Sequence, residues 1–172
     1  MDKLQTKQEL LAKLTALTSV PDDNNIYLKE KVKKALLKSP ELLYAFHNLD
    51  LENTELFNPD GTINYTGDWS MYYGEEGNIH PHFYLPNTQD KVRHHLCFKT
   101  EFTDIPKYNQ IMCYMNVTFL VMVDVRDAID PLTGITRHDL IGSILRERFN
   151  WSNIFGAHCN IVSDKESFTD SN

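Results

Sequence analysis

Histidines are the residues of this chain whose type and spacing could carry chemistry. His80 and His82 are two apart, so on an extended strand both project from one face, and His94-His95 follows shortly after. Four imidazoles on neighbouring strands would suit zinc or nickel. Against that, no Asp, Glu or Cys completes a familiar ligand spacing, and Pro81 distorts the strand that would present the first pair. The plainer reading is of surface or interface histidines, with no metal and no cofactor. A small metal-dependent enzyme using His80, His82, His94 and His95 stands as the alternative.

Other reactive groupings are weaker. His138 and Asp139 are adjacent, and on a helix adjacent residues do not face each other. Asp139 reads instead as the reciprocal acid of a capping box that starts at Thr136. No Ser or Cys has an obvious base, G-x-S-x-G is absent, and the isolated Gly134, Gly142 and Gly156 make no phosphate-binding loop. The expectation is a protein without catalytic residues. The basic feature is a helix carrying Lys29, Lys31, Lys33, Lys34 and Lys38. It reads as a solvated face or as a docking surface for an acidic partner, including a neighbouring copy. With few aromatics between the lysines, it suits nucleic acid poorly.

The elements that position these groups follow from pattern. Thr6-Lys7-Gln8-Glu9 is a capping box, and Leu10, Leu11, Leu14 and Leu17 then form an apolar stripe. A second helix places Leu28, Val32, Ala35 and Leu36 inward. Ser39-Pro40 starts a third, with Pro at the first position, where its missing N–H costs nothing. Asn58-Pro59-Asp60-Gly61 reads as a turn between two short extended pieces. Ile79 to Leu85, broken by Pro81, predicts an edge strand. Leu96, Phe98, Thr100 and Phe102 alternate with Cys97, Lys99 and Glu101, the period of a half-buried strand. The run Ile111 to Val125 predicts one long strand, with every second residue from Ile111 to Val125 on one face. At that length it is a candidate arm that leaves its own sheet and pairs with a neighbour. A turn at Asp130-Pro131-Leu132-Thr133-Gly134 leads into a helix with Leu140, Ile141, Ile144, Leu145 and Phe149 inward. Ala157 to Val162 predicts a last strand. The class is α+β: N-terminal helices, then an antiparallel or mixed sheet covered by one amphipathic helix.

Length and composition agree. The chain has 172 residues, 41% apolar and 24% charged, which suits a globular domain and argues against wholesale disorder. No apolar run reaches the ~18–20 residues that span a bilayer, and MDKLQTKQELL has no signal-peptide core. The expectation is a soluble, non-exported protein with no membrane contact. Cys97, Cys113 and Cys159 form no disulfide framework and read as small buried hydrophobes. Net charge is −7, divided as about +1 over residues 1–50 and about −8 over 51–172. An acidic body disfavours general nucleic-acid binding, yet acidic walls would let DNA pass a lumen without sticking.

The last third carries a resemblance. Ile105-Pro106-Lys107-Tyr108-Asn109 with the long strand after it, Thr133 to Leu140, Phe149 to Gly156 (FNWSNIFG) and Val162-Ser163-Asp164-Lys165 resemble small virion proteins of tailed bacteriophages: neck, head–tail connector or tail-terminator-like proteins. The likeness covers about residues 79–170. It implies a small tail-terminator-like α+β core and a homo-oligomeric ring, sixfold or twelvefold, stacked between portal and tail. It also implies contact with portal and neighbouring neck or tail proteins, passive passage of DNA, and location in the virion after assembly in the host cytoplasm. Such proteins usually continue past the Ser-Asp-Lys stretch into another strand, so here that strand is expected to be absent or supplied by a neighbour. The organisation expected is residues 1–50 helical, 51–78 a loop-rich connector and 79–172 the connector-like core. Interface candidates are Lys29, Lys31, Lys33, Lys34, Trp69, Tyr72, Tyr73, Trp151 and Phe155, because large aromatics in loops often anchor contacts.

Overall fold

A computed structural model describes residues 6–17, 25–83, 91–102 and 115–153. Helix α1 (Lys7–Ala16) begins at the expected capping box. The Glu9 N–H donates to Thr6 Oγ1 (3.2 Å) and the Thr6 N–H to Glu9 Oε2 (3.0 Å). Its stripe forms, but Leu10, Leu11 and Leu14 are 45%, 51% and 52% exposed, and no residue of the helix is buried.

Helix α2 (Asn25–Leu37) buries Leu28, Val32, Ala35 and Leu36, as its periodicity predicts. In α3 (Pro40–Ala45) Ser39 holds the N-cap position, but its hydroxyl donates to Glu41 Oε2 (3.1 Å) and caps no backbone amide. Leu42, Leu43 and Phe46 are fully buried. The chain then runs through a single turn, α4 (Leu49–Leu51), and a π-helical turn at Glu52–Leu56. The Asn58–Gly61 turn forms as expected: Phe57 bridges Ile63, and Gly61 adopts φ +82°, which an L side chain resists.

The sheet is mixed. Strand β1 (Ile79–His80) runs parallel to β2 (His95–Phe102), which pairs antiparallel with β3 (Met115–Met122), in the order β1-β2-β3. β1 is the predicted edge strand, and it stops at Pro81 because proline has no N–H for the ladder. β2 departs from simple alternation: Leu96, Phe98 and Thr100 are buried as predicted, but so are His95 and Cys97 on the other face. Cys113 and Cys159 lie outside the described residues.

The long strand needs correction. Its described part ends at Met122, and all eight of its residues pair with β2, so no free arm extends at this end. Asp124 accepts the Arg126 N–H and caps a 3-10 turn at Val125–Asp127; Val125 is 88% exposed rather than continuing the inward set. Residues 111–114, the predicted strand 157–162 and Phe155 lie outside the described residues.

Helix α5 (Arg137–Phe149) covers the sheet. Ile141, Leu145 and Phe149 are buried, with Phe149 stacked 5.1 Å from Phe119 of β3. One core cluster runs from Leu28 of α2 through α3, Leu56, Tyr72, Ile79, Leu96 and Phe98 to Phe149. The helical, connector and sheet stretches therefore share one interior. Among the described residues no helix is long and apolar enough to cross a membrane.

Candidate functional site

The histidines do not gather. His94 and His95 are successive in an extended segment and therefore project oppositely. His95 Nδ1 lies 2.9 Å from His80 Nε2, and the two rings are buried side by side. Burial, then each other's proximity and that of Arg93, holds His95 down to about 4, and burial also lowers His80. A neutral pair of this kind shares one proton along the N···N line. His82 is exposed with its ring 6.4 Å from His80. Three of the four expected surface histidines, His80, His94 and His95, are thus interior. Among the described residues no three His, Cys, Asp or Glu side chains are placed to hold a metal.

His94 joins a second cluster that the sequence reading missed. The Asp124 N–H donates to His94 Nδ1 (3.1 Å), so the proton sits on Nε2 and points at Asp127 Oδ2 (3.2 Å). Burial lowers the pKa of His94, and the Asp127 carboxylate opposes that shift. His47 Nδ1 reaches the same oxygen at 2.6 Å, too close to a carboxylate for two bare acceptors, so His47 donates. With that proton turned to Asp127, the Arg137 Nη2 at 3.2 Å finds no lone pair on Nδ1. Arg137 is 1% exposed. Its Nε donates to the Asp127 carbonyl (3.0 Å), its Nη2 to Asp127 Oδ1 (3.3 Å), and its Nη1 lies 3.4 Å from Asp130 Oδ1. Burial alone would raise Asp127, but the hydrogen bonds from His47, His94 and Arg137 hold it below its ordinary value. The Thr133 hydroxyl and N–H do the same for Asp130.

This knot ties four elements: the end of α3, the entry to β2, the turn after β3 and the first residue of α5. A cation at a helix N-terminus opposes the helix dipole. Arg137 is held there because two carboxylates and a carbonyl surround it. That placement, with Asp124, Asp127 and Asp130 spaced every third residue just upstream, was the available signal. His47 adopts φ +47°, a strained conformation for a residue with a Cβ. It lines a cleft of about 400 Å³ with Asn48, Asp50, Lys91, Arg93 and Asp127. Among the described residues no Ser, Thr or Cys lines that cleft; its ionisable side chains are His47, Asp50, Lys91, Arg93 and Asp127.

His138 and Asp139 act as a helix start. The Thr136 hydroxyl donates to the Asp139 carboxylate, and the Asp139 N–H donates back to Thr136 Oγ1 (3.4 Å).

The interface candidates divide. Tyr72 is fully buried in the core and is no surface anchor. Trp69 is half-buried, its indole N–H donating to the Glu55 carbonyl (3.0 Å). Tyr73 is half-buried beneath the Lys33 ammonium, 4.7 Å from its ring centre, and burial pushes its hydroxyl up to about 12. Trp151 is 66% exposed at φ +56°. The lysines do not share one face. Lys29 Nζ donates to the Pro81 carbonyl (2.8 Å) and Lys33 leans on Tyr73, whereas Lys31, Lys34 and Lys38 lie on the other flank of α2.

A family model described as YomW matches residues 30–170. No curated protein and no solved structure matches.

Proposed function

The chain belongs to the YomW family, a phage-derived name that marks it as phage-associated, and on that premise we propose that it is a structural subunit of the phage particle. In this reading copies of the chain close into a ring of six or twelve in the neck or tail, as a head–tail connector, collar ring or tail terminator. The ring contacts portal and neighbouring tail proteins and passes DNA through its lumen without catalysis. The observation that supports it most is α1. A fully capped helix exposes three leucines and buries nothing. A helix this short is marginal in water without a packing partner, and an unburied leucine stripe is the kind of surface that assembly covers.

The test is the native mass of the full chain by light scattering over a concentration series, with a metal assay on the same sample. A metal-free closed oligomer, disrupted by Leu10→Glu with Leu14→Glu, is expected. A monomer at every concentration, carrying stoichiometric metal, would sink the structural reading in favour of metal-dependent chemistry. Placement in the particle is tested separately, by looking for the chain among the proteins of purified phage.

A further inference from the structure

We propose that the loop-rich connector presents a binding surface for a basic segment of another protein, in which Tyr65 and Trp69 receive an Arg or Lys side chain and the carboxylates of Glu55 and Asp68 pair its charge. The inference goes beyond the assembly reading and holds whether or not copies of this chain close into a ring.

Charge sets the sign of the partner. Residues 51–78 contain Glu52, Glu55, Asp60, Asp68, Glu75 and Glu76 and no Lys, Arg or His. Glu52 is buried, Glu55 is half-buried, and Asp60, Asp68, Glu75 and Glu76 are exposed. Among the described residues none of these acids forms an ion pair. Acids elsewhere do: Glu30 holds Lys33 and Lys34, Asp50 holds Lys91, and Glu101 holds Lys99. Two cations of the body approach the connector, and each engages another group. Arg93 donates to the Glu76 carbonyl, and Lys33 lies over the Tyr73 ring. The Ser70 hydroxyl and N–H hold Asp68 below its ordinary value, so it is ionised at neutral pH.

The fold brings the parts together. The Trp69 indole N–H donates to the Glu55 carbonyl (3.0 Å) and the Asp68 N–H to Glu55 Oε2 (3.2 Å). These bonds tie the Tyr65–Trp69 loop back onto the π-helical turn at Glu52–Leu56. Gly67 permits that approach, because a Cβ there would stand 2.4 Å from the Glu55 carbonyl oxygen. Both carboxylates thus come beside an aromatic pair. The Tyr65 and Trp69 ring centres are 6.0 Å apart, inclined at 49°, and Tyr65 is 74% exposed. A ring face attracts a cation through its quadrupole, and a carboxylate adds a charge-assisted hydrogen bond. Guanidinium fits both best, since it stacks flat on a ring while its N–H groups donate in its own plane. Met71, 53% exposed, adds apolar surface for the rest of the segment. The bonds that shape the loop exist before any partner arrives, so binding orders little of it.

A second copy is the poorer occupant. Two chains of net charge −7 repel at long range. Lys29, Lys31, Lys33, Lys34, Lys91 and Lys99 each already meet a carbonyl, a ring or a carboxylate of their own chain. A basic segment of a different protein meets neither obstacle.

The experiment titrates a short labelled polyarginine peptide into the full chain at low salt, followed by fluorescence anisotropy, with polylysine and polyglutamate peptides of equal length alongside. Glu55→Gln with Asp68→Asn removes two charges and keeps both acceptor oxygens; it should weaken polyarginine binding about tenfold. Tyr65→Ala should weaken it about threefold and narrow the preference for polyarginine over polylysine. Glu101→Gln with Glu147→Gln makes the same change of charge at exposed positions outside the connector and should alter binding by less than about twofold. Circular dichroism checks that every variant folds. Equal weakening by the two double variants would reduce the effect to the attraction of an acidic chain and overturn the site. Absence of polyarginine binding would overturn it directly. So would a fall in native mass on Glu55→Gln with Asp68→Asn while peptide binding is unchanged, which would assign the surface to a second copy. A chain that is monomeric at every concentration yet binds as expected upholds this surface while the assembly reading fails.

Discussion

Helices α1 and α5 start alike and end differently. Each opens at a threonine with an acid three residues on, and each carries apolar residues at helical spacing. α5 buries Ile141, Leu145 and Phe149 and sets Arg137 into the interior; α1 buries nothing. Capping and periodicity decide whether a helix forms and which side is apolar. Whether that side is covered depends on what stands opposite it, and only α5 has a sheet there.

The contrast can be tested by breaking each helix in turn. The largest effect is expected at Arg137. Arg137→Met strips the counter-charge from Asp127 and Asp130 in a buried setting and should cost about 3–5 kcal/mol in chemical denaturation. A loss below ~1 kcal/mol would show that the knot contributes little. Next, Ile141→Ala should cost about 3 kcal/mol as a fully buried truncation. Leu14→Ala in α1 should leave the global unfolding midpoint of the monomer unchanged, and a matching loss there would erase the distinction.

Acid should act on the body through its buried histidines. The folded-state value of His95 is lowered to about 4 from 6.5. Between those pH values the unfolded chain binds a proton that the folded chain refuses. Stability is therefore fully present above 6.5 and falls as pH drops through the window, by on the order of 3 kcal/mol for His95. His80 and His94 are lowered too and add in the same direction. A His95→Gln variant should flatten the stability–pH profile between pH 6.5 and 4, and an unchanged slope would count against the buried His80–His95 pair. The smallest effect separates the two caps. Thr136→Ala should cost about 1 kcal/mol of global stability. Thr6→Ala should change local helicity, read by circular dichroism, while leaving the unfolding midpoint in place.

Most of the fold was legible in local pattern. Leu28, Val32, Ala35 and Leu36 on α2, and Ile141, Leu145 and Phe149 on α5, occupy the sides that their spacing predicts. The turn at Gly61, the edge strand at Ile79–His80 and the mixed α+β order follow from equally local rules. The candidate site was far less legible. Asp139 takes the capping role that its spacing from Thr136 predicts, while the residue of that segment that joins the buried cluster is Arg137. Nothing local links Arg137 to His47, ninety positions earlier, yet their nitrogens lie 3.2 Å apart.

Helix boundaries, helix phases, turns and the sign of each charged stretch were therefore determined by the sequence itself, because each rests on interactions within a few residues. Only the tertiary structure decided which apolar sides are covered, which partners His94 and His95 meet, and that Lys29 and Lys33 are held by the Pro81 carbonyl and the Tyr73 ring. Those outcomes depend on which distant segment packs against each flank. The pairing of β2 with β3 brings Asp124 and Asp127 to His94, and the packing of α5 on α3 brings Arg137 to the same carboxylate.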